Sequence, residues 1–80
     1  MVDWKEHIVS DPTILLGKPC IKGTRISVEF ILKLWASEWT EEMIVENYPG
    51  ITRIQLAAVA AYIYGLVQDG LLFELKAKAA

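Results

Sequence analysis

The sequence predicts a small, mainly α-helical domain in which a β-hairpin-like arm, residues 1–26, precedes a bundle of three helices, residues 27–68. First, the chain has 80 residues, which is the size of a single domain. Second, glycines, prolines and short apolar runs dominate the arm, and helical periodicity replaces them afterwards. Third, Ser27, Thr40 and Thr52 each stand just before an apolar segment, as helix N-caps do.

The composition predicts a protein that forms an oligomer or binds a permanent protein partner. Apolar residues make up 54% of the chain and the mean hydropathy is +0.33, which is more apolar than a typical soluble domain. A chain this short buries only about two thirds of its unfolded surface, so it cannot hide so many apolar groups alone. We therefore expect a homo-oligomer, a homodimer or larger, or a permanent protein partner.

Charge and chemistry narrow the possible functions. The net charge of −2 argues against nucleic-acid binding that is driven by an overall positive charge. Cys20 and His7 are the only residues of their types, so we expect no disulfide, no metal, no cofactor and no catalytic site. The chain opens without a charged-then-apolar leader and contains no run of membrane-spanning length. These features predict a non-enzymatic cytoplasmic protein without membrane contact.

One stretch, residues 17–26, organises the arm. It reads Gly-Lys-Pro-Cys-Ile-Lys-Gly-Thr-Arg-Ile. Its two glycines are suited to positive φ, and its proline favours extended backbone before it. We expect two short extended pieces, Cys20–Ile21 and Thr24–Ile26, joined by a turn at Lys22–Gly23, with Ile8–Val9 as a further short strand. The residues with predicted structural roles are Gly17, Pro19, Gly23, Thr24 and, later in the chain, Pro49.

The same stretch carries the chain's basic cluster, which has no acid within it. Two interpretations of Arg25 remain open. In the first, it pairs with Asp11 or Glu29 and holds the arm on the first helix. In the second, it contacts phosphate together with Lys22.

The first helix is predicted from Val28 to about Ser37. At 100° per residue its core face is shared by four residues. These are Val28, Ile31, Leu32 and Trp35. Phe30 and Leu34 lie off that face, so they either pack under the arm or form a partner surface.

The second helix begins after Thr40 and ends before Pro49-Gly50, because proline disfavours helix at the residue before it. Thr52 caps a third helix, Arg53 to about Gln68. Two helices joined by so short a turn have helix-turn-helix spacing.

The third helix is almost uncharged. One apolar face is predicted to contain Leu56, Val59, Tyr62, Ile63, Leu66 and Val67. The opposite face is rich in small residues, which let another helix approach closely. It contains Ala57, Ala58, Ala61 and Gly65 beside Ile54 and Tyr64. Only Arg53 and Gln55 resemble the side chains that read DNA base edges.

Residues 17–26 resemble the G-K-P-x-I-[KR]-G-T-R-I signature of a small bacterial family of formally unknown function. Later motifs of the family also occur in the family's order. They are Thr40-Glu41-Glu42, Tyr48-Pro49, and Ile51-Thr52 with Tyr62 ten residues on. The resemblance covers roughly Ile8 to Tyr62. The family is homeodomain-like and resembles VapB-type antitoxins. The resemblance implies an antitoxin that neutralises a PIN-like ribonuclease toxin and contributes to operator DNA binding.

The chain departs from the family pattern at two places. Glu38 stands where a glycine is usual at the end of the first helix, and Ile54 and Gln55 replace acids. The acidic balance and the apolar third helix favour an alternative function: a homo-oligomeric interaction module with a helix-turn-helix shape that does not bind DNA.

These arguments give two sets of candidate residues. The DNA-binding candidates are Lys22, Arg25, Arg53 and Gln55. The oligomer or partner interface candidates are Phe30, Leu34, Ala57, Ala58, Ala61, Tyr64 and Gly65. The C-terminal tail, 69–80, has three open interpretations from residue 71 onwards: a final helix, a strand added to a partner's sheet, or a frayed end.

Overall fold

The computed structural model describes residues 1–70. Its regular elements are β1 (Ile8–Val9), β2 (Cys20–Ile21), α1 (Val28–Ala36), α2 (Glu41–Asn47) and α3 (Arg53–Gln68), with 3-10 turns at Trp4–Glu6 and Leu15–Gly17. The prediction of a mainly helical chain with two short strands near its N-terminus is confirmed. The interpretations of residues 71–80 concern positions outside the described ones.

The strand pairing differs from the sequence-based prediction. β1 and β2 are antiparallel, with Ile8 opposite Ile21 and Val9 opposite Cys20. The predicted pairing of Cys20–Ile21 with the segment after the turn is reduced to a single bridge from Cys20 to Ser27. The reason is burial, because Ile8, Cys20 and Ile21 are at most 6% exposed and bring their apolar side chains together in the core.

The core face of α1 is rotated from its predicted position. Leu34 is 7% exposed and belongs to the core, whereas Leu32 is 37% exposed, so the proposal of Leu34 as a partner-surface residue was wrong. The cause is a Schellman motif after the helix. Glu38 takes a φ of 66°, its N–H donates to the Trp35 carbonyl, and the Trp39 N–H donates to the Leu34 carbonyl, both at 3.0 Å. Trp39 therefore comes back onto Leu34.

α3 is the central helix of the fold. It contacts α1 and α2 on one side and the arm on the other, where the Trp4 ring packs edge-on against Tyr62 with centroids 4.8 Å apart. Ala58 and Ala61 are buried at 0% and 5% exposure, so their assignment to an open face was wrong. Sequence periodicity predicts one buried face of α3, whereas in the structure the arm covers a second face.

The core is one cluster contributed by both strands, all three helices and the turn before α3. Its buried members are Ile8, Ile21, Val28, Ile31, Leu34, Ile44, Ile51, Leu56, Ala58 and Val59. Within residues 1–70 no polar or charged side chain is buried. None of the helices in this range has the length and apolarity needed to cross a bilayer.

Candidate functional site

The basic turn of the arm is built by backbone and hydroxyl contacts. Gly23 has a φ of 81°, the positive value expected of it. The Thr24 hydroxyl donates to the Ile21 carbonyl at 2.8 Å and accepts from the Ile26 N–H at 3.0 Å. The side chains of Lys22 and Arg25 project from this turn into solvent. The turn therefore presents two cations on a rigid backbone.

Arg25 does not make the ion pair that the sequence suggested. Glu29 pairs instead with Lys18, whose Nζ lies 3.1 Å from Glu29 Oε1. Asp11 accepts hydrogen bonds from the Thr13 N–H at 2.8 Å and the Thr13 hydroxyl at 2.7 Å. These bonds, the backbone bond first, lower the pKa of Asp11 below its ordinary value. The structural interpretation of Arg25 was thus wrong about both partners.

The second group of candidates lies in the first turn of α3. The Thr52 hydroxyl accepts the Gln55 N–H at 3.2 Å, and the Gln55 side-chain oxygen accepts the Thr52 N–H at 2.9 Å. In this capping box the Gln55 side-chain oxygen accepts a hydrogen bond, whereas its amide nitrogen takes no part. Arg53 Nη1 lies 3.7 Å from Glu41 Oε1, and both side chains remain about half exposed. A neighbouring acid thus offsets the charge of Arg53.

Trp4 of the arm contacts α3 well away from Arg53 and Gln55. The arm contacts α3 through Trp4, which packs on Tyr62 and whose Nε1 would be 3.9 Å from a β-carbon at Gly65. These positions are nine and twelve residues after Arg53, or roughly 14–18 Å along the helix axis. The arm follows the C-terminal half of α3, whereas Arg53 and Gln55 are in its first turn.

The exposed side of α3 is the larger candidate surface, and we call it the outer face. It consists of Ile54, Ala57, Ala60, Tyr64 and Val67, all exposed. The three large side chains are 59%, 50% and 49% exposed, respectively. The helix carries no charge after Arg53, so the outer face is an apolar strip about 20 Å long, bordered at its N-terminal end by the Arg53–Glu41 pair.

The interface candidates divide between the outer face and the inside of the molecule. Ala57 and Tyr64 belong to the outer face. Phe30 is half-buried and packs edge-on against Tyr48, with ring centroids 5.6 Å apart. Gly65 faces Trp4 of the chain's own arm and does not belong to the outer face. Ala60 and Val67 were missed as candidates, although counting in helical steps from Arg53 finds both.

The family model described as "Protein of unknown function (DUF433)" matches residues 8–63, which is more than half of the chain. The chain belongs to this family. The DUF433 match begins at β1 and ends within α3, so it contains both strands, α1, α2 and all four cationic or amide candidates. Tyr64 and Val67 of the outer face lie beyond it. No curated protein and no solved structure matches the chain.

Proposed function

We propose that the protein is a homo-oligomeric interaction module whose outer face of α3 binds the same face of a second copy. The observation that carries the proposal is the apolar outer face, with three large side chains about half exposed. Contiguous apolar surface of this kind is costly in water and is typical of protein interaction sites. A helix that read DNA would present arginine, lysine or amide side chains along the same face.

The order of residues on the outer face suits a second copy in antiparallel orientation. A two-fold axis between residues 60 and 61 places Tyr64 of one protomer over Ala57 of its partner. The same axis places Ile54 opposite Val67 and brings the two Ala60 residues to the crossing. Each large side chain thus meets a small or branched one, which is the complementarity that close helix packing needs.

The charges at the two ends of the helix support the same orientation. Arg53 begins α3 and Asp69 follows its last turn, and both are exposed. The antiparallel pairing brings Arg53 of one protomer near Asp69 of its partner. A parallel pairing would instead juxtapose like charges at both ends. Rim charges of this kind contribute mostly to orientation and specificity.

A charge placed on the outer face tests the proposal. Ala57→Glu is expected to convert a dimer into a 9 kDa monomer in light scattering at micromolar concentration, because it forces a carboxylate into the proposed contact with Tyr64 of the second copy. Ala36→Glu, on the exposed surface of α1, is the matched control and should leave the dimer intact. A wild-type monomer at this concentration, or an Ala57→Glu dimer, contradicts the proposal.

A size exchange tests the orientation. Tyr64→Ala should weaken association, and Ala57→Tyr should block it by overfilling the contact. The double variant Ala57→Tyr/Tyr64→Ala restores one large and one small residue at each contact and should associate again. A double variant that is weaker than both single variants rules out the antiparallel pairing.

The second candidate function is the antitoxin role, in a cytoplasmic toxin–antitoxin pair. It is favoured by the corner between α2 and α3, which has helix-turn-helix spacing, and by the exposed Arg53 at the start of α3. In this function the domain is homeodomain-like, neutralises a PIN-like ribonuclease and contributes to operator DNA binding. The outer face cannot pack on a second copy and enter a major groove at once, so the two functions make different demands on α3.

DNA binding would rest on few contacts. Lys22, Arg25 and Arg53 supply the phosphate contacts, and the Gln55 amide nitrogen is available to a base edge. With two or three phosphate contacts per subunit, a dimer should show a salt slope of roughly −4 to −5. Gln55→Glu keeps the capping acceptor but removes the donor, so it should weaken operator binding without lowering stability. Unchanged operator affinity in Gln55→Glu and Arg53→Ala at low salt contradicts a DNA-reading role.

Toxin neutralisation has its own test. A PIN-like ribonuclease encoded next to the gene should lose its RNA-cleaving activity when mixed with this protein in equal amounts, and the two should co-elute. Lys33→Glu, at an exposed position of α1 away from the outer face, serves as the control variant. Full ribonuclease activity in the presence of a micromolar excess of this protein contradicts the antitoxin role and favours the interaction module.

A further inference from the structure

A pocket opens beside the outer face, where α3 meets α1 and α2. Its volume is about 220 Å³. Ala57 and Ala60 of the outer face line it from α3, together with the buried Leu56, and the half-buried Trp35 lines it from α1. Because the two alanines belong to both surfaces, the pocket extends the outer face sideways, towards Trp35.

An ion pair also lines this pocket. Arg53 Nη1 lies 3.7 Å from Glu41 Oε1, and the two side chains are 62% and 47% exposed, respectively. This separation is longer than a charge-assisted hydrogen bond. A carboxylate accepts several hydrogen bonds, so Glu41 can accept one from a group that enters the pocket. The pocket therefore combines apolar walls with a hydrogen-bond acceptor and a cation.

The antiparallel pairing of the proposed dimer decides which part of a second copy lies over this pocket. That pairing places Tyr64 of the second copy over Ala57. The side chains of a helix lean towards its N-terminus. In an antiparallel pair this direction runs towards the C-terminus of the facing helix, from Ala57 to Ala60. The Tyr64 ring of the second copy therefore covers the two alanines that line the pocket.

We propose that the Tyr64 ring of each copy fills the pocket of the other and that its hydroxyl donates a hydrogen bond to Glu41. This inference rests on the proposed dimer and names the contact that makes the dimer specific. Within its own chain Tyr64 is 50% exposed and does not line the pocket, so its ring is open to a second copy. Two such contacts form in each dimer, because the two-fold axis relates them.

The chemistry of the pocket favours tyrosine over the other large side chains of the outer face, which are Ile54 and Val67. The tyrosine hydroxyl supplies a donor for the Glu41 carboxylate, and a hydrogen bond to a charged group is stronger than one between neutral groups. The aromatic ring packs edge-on or offset against Trp35, and its face attracts the Arg53 cation. An isoleucine or valine side chain offers none of these interactions.

A double-mutant cycle on the full-length chain tests the hydrogen bond. Tyr64→Phe keeps the ring and removes the hydroxyl, so the dissociation constant of the dimer, measured by sedimentation equilibrium, should rise about tenfold or more. Glu41→Ala removes the acceptor, and in that background Tyr64→Phe should have little further effect. Glu42→Ala is the matched control, since Glu42 is the neighbouring exposed acid of α2 and does not line the pocket. In this control background Tyr64→Phe should keep its full effect.

Nuclear magnetic resonance locates the ring directly. In a dimer of one isotope-labelled and one unlabelled chain, the Tyr64 ring protons of one copy should show nuclear Overhauser contacts to the Trp35 indole of the other. A dimer without these contacts overturns the inference and leaves the proposed dimer in place. So does an equal effect of Tyr64→Phe in the Glu41→Ala and Glu42→Ala backgrounds. A wild-type chain that stays monomeric overturns the inference and the proposed dimer together.

Discussion

At the scale of single residues, the backbone of the described chain contains three left-handed positions without glycine. Leu15, Leu16 and Glu38 have φ values of 51°, 57° and 66°. Such a conformation costs a non-glycine residue about 1–2 kcal/mol. At Glu38 the two Schellman hydrogen bonds and the packing of Trp39 against the core offset this cost.

Glu38→Gly is expected to stabilise the protein. Relief of left-handed strain outweighs the greater backbone entropy of unfolded glycine, which leaves a gain of about 0.5–1 kcal/mol. Chemical denaturation measures this change. Ser37→Gly, one residue earlier at a φ of −92°, is the control and should destabilise the protein, since it adds glycine entropy without relieving strain. A loss of stability in Glu38→Gly contradicts left-handed backbone at this residue.

Gly23→Val should destabilise the protein by about 1–3 kcal/mol, because valine resists positive φ. Nothing lies within 4 Å of a β-carbon at Gly23, so the cost comes from backbone strain and not from a clash. Thermal unfolding gives the measurement. Gly50→Ala is the control, since this position is equally open and lacks positive φ. An unchanged melting temperature in Gly23→Val would show that the turn is misplaced.

At the scale of elements, the position of α3 explains its composition. The arm covers the side that contains Tyr62 and Gly65, and α1 and α2 cover another. A helix covered on two sides needs few charged residues, so most of its apolar character is explained within one chain. Among the described residues of α3, the outer face is the exposed side to which we assign a partner.

Gly65→Ala should stabilise α3 by about 0.5–1 kcal/mol, because alanine favours helix over glycine. A β-carbon there would meet Trp4 Nε1 at 3.9 Å, an ordinary contact distance. Calorimetry of the wild-type chain and the Gly65→Ala variant measures the change in stability. Gly50→Ala, outside the helices, should give a smaller change. A marked loss of stability or of association in Gly65→Ala would instead place a second helix at this glycine.

At the scale of the whole molecule, the small core links the proposed association to stability. Within residues 1–70 the buried residues form a single cluster, and the outer face of α3 stays exposed beside it. Domains of this size have thin stability margins. Burial of the outer face against a second copy would therefore add a large fraction of the total stability.

The melting temperature of the wild-type chain should rise with protein concentration, by a few degrees for each tenfold increase, because mass action favours the folded dimer. Ala57→Glu should melt at a lower temperature that does not depend on concentration. Ala36→Glu should keep the wild-type dependence. Scanning calorimetry over a hundredfold concentration range gives the comparison. A wild-type melting temperature that stays constant over this range contradicts a dimer that stabilises the folded state.

Local features of the chain could be predicted from sequence. N-caps, proline and glycine act over a few residues, so Thr52 and the run to Gln68 predicted the bounds of α3 correctly. Gly23 is a similar case, since its positive φ depends on a local turn. The exposed cations at Lys22, Arg25 and Arg53 were also identifiable. The packing of Trp4 on the C-terminal half of α3 was not, because it joins segments far apart in the sequence.

The sequence by itself determined which segments are helical and where they begin and end. The tertiary structure alone decided which side of each helix is buried. Leu34 and Ala58 are in the core because a Schellman turn and the arm approach them from directions that periodicity does not encode. Helical periodicity reports one apolar stripe, whereas burial depends on every neighbour that packs against the helix.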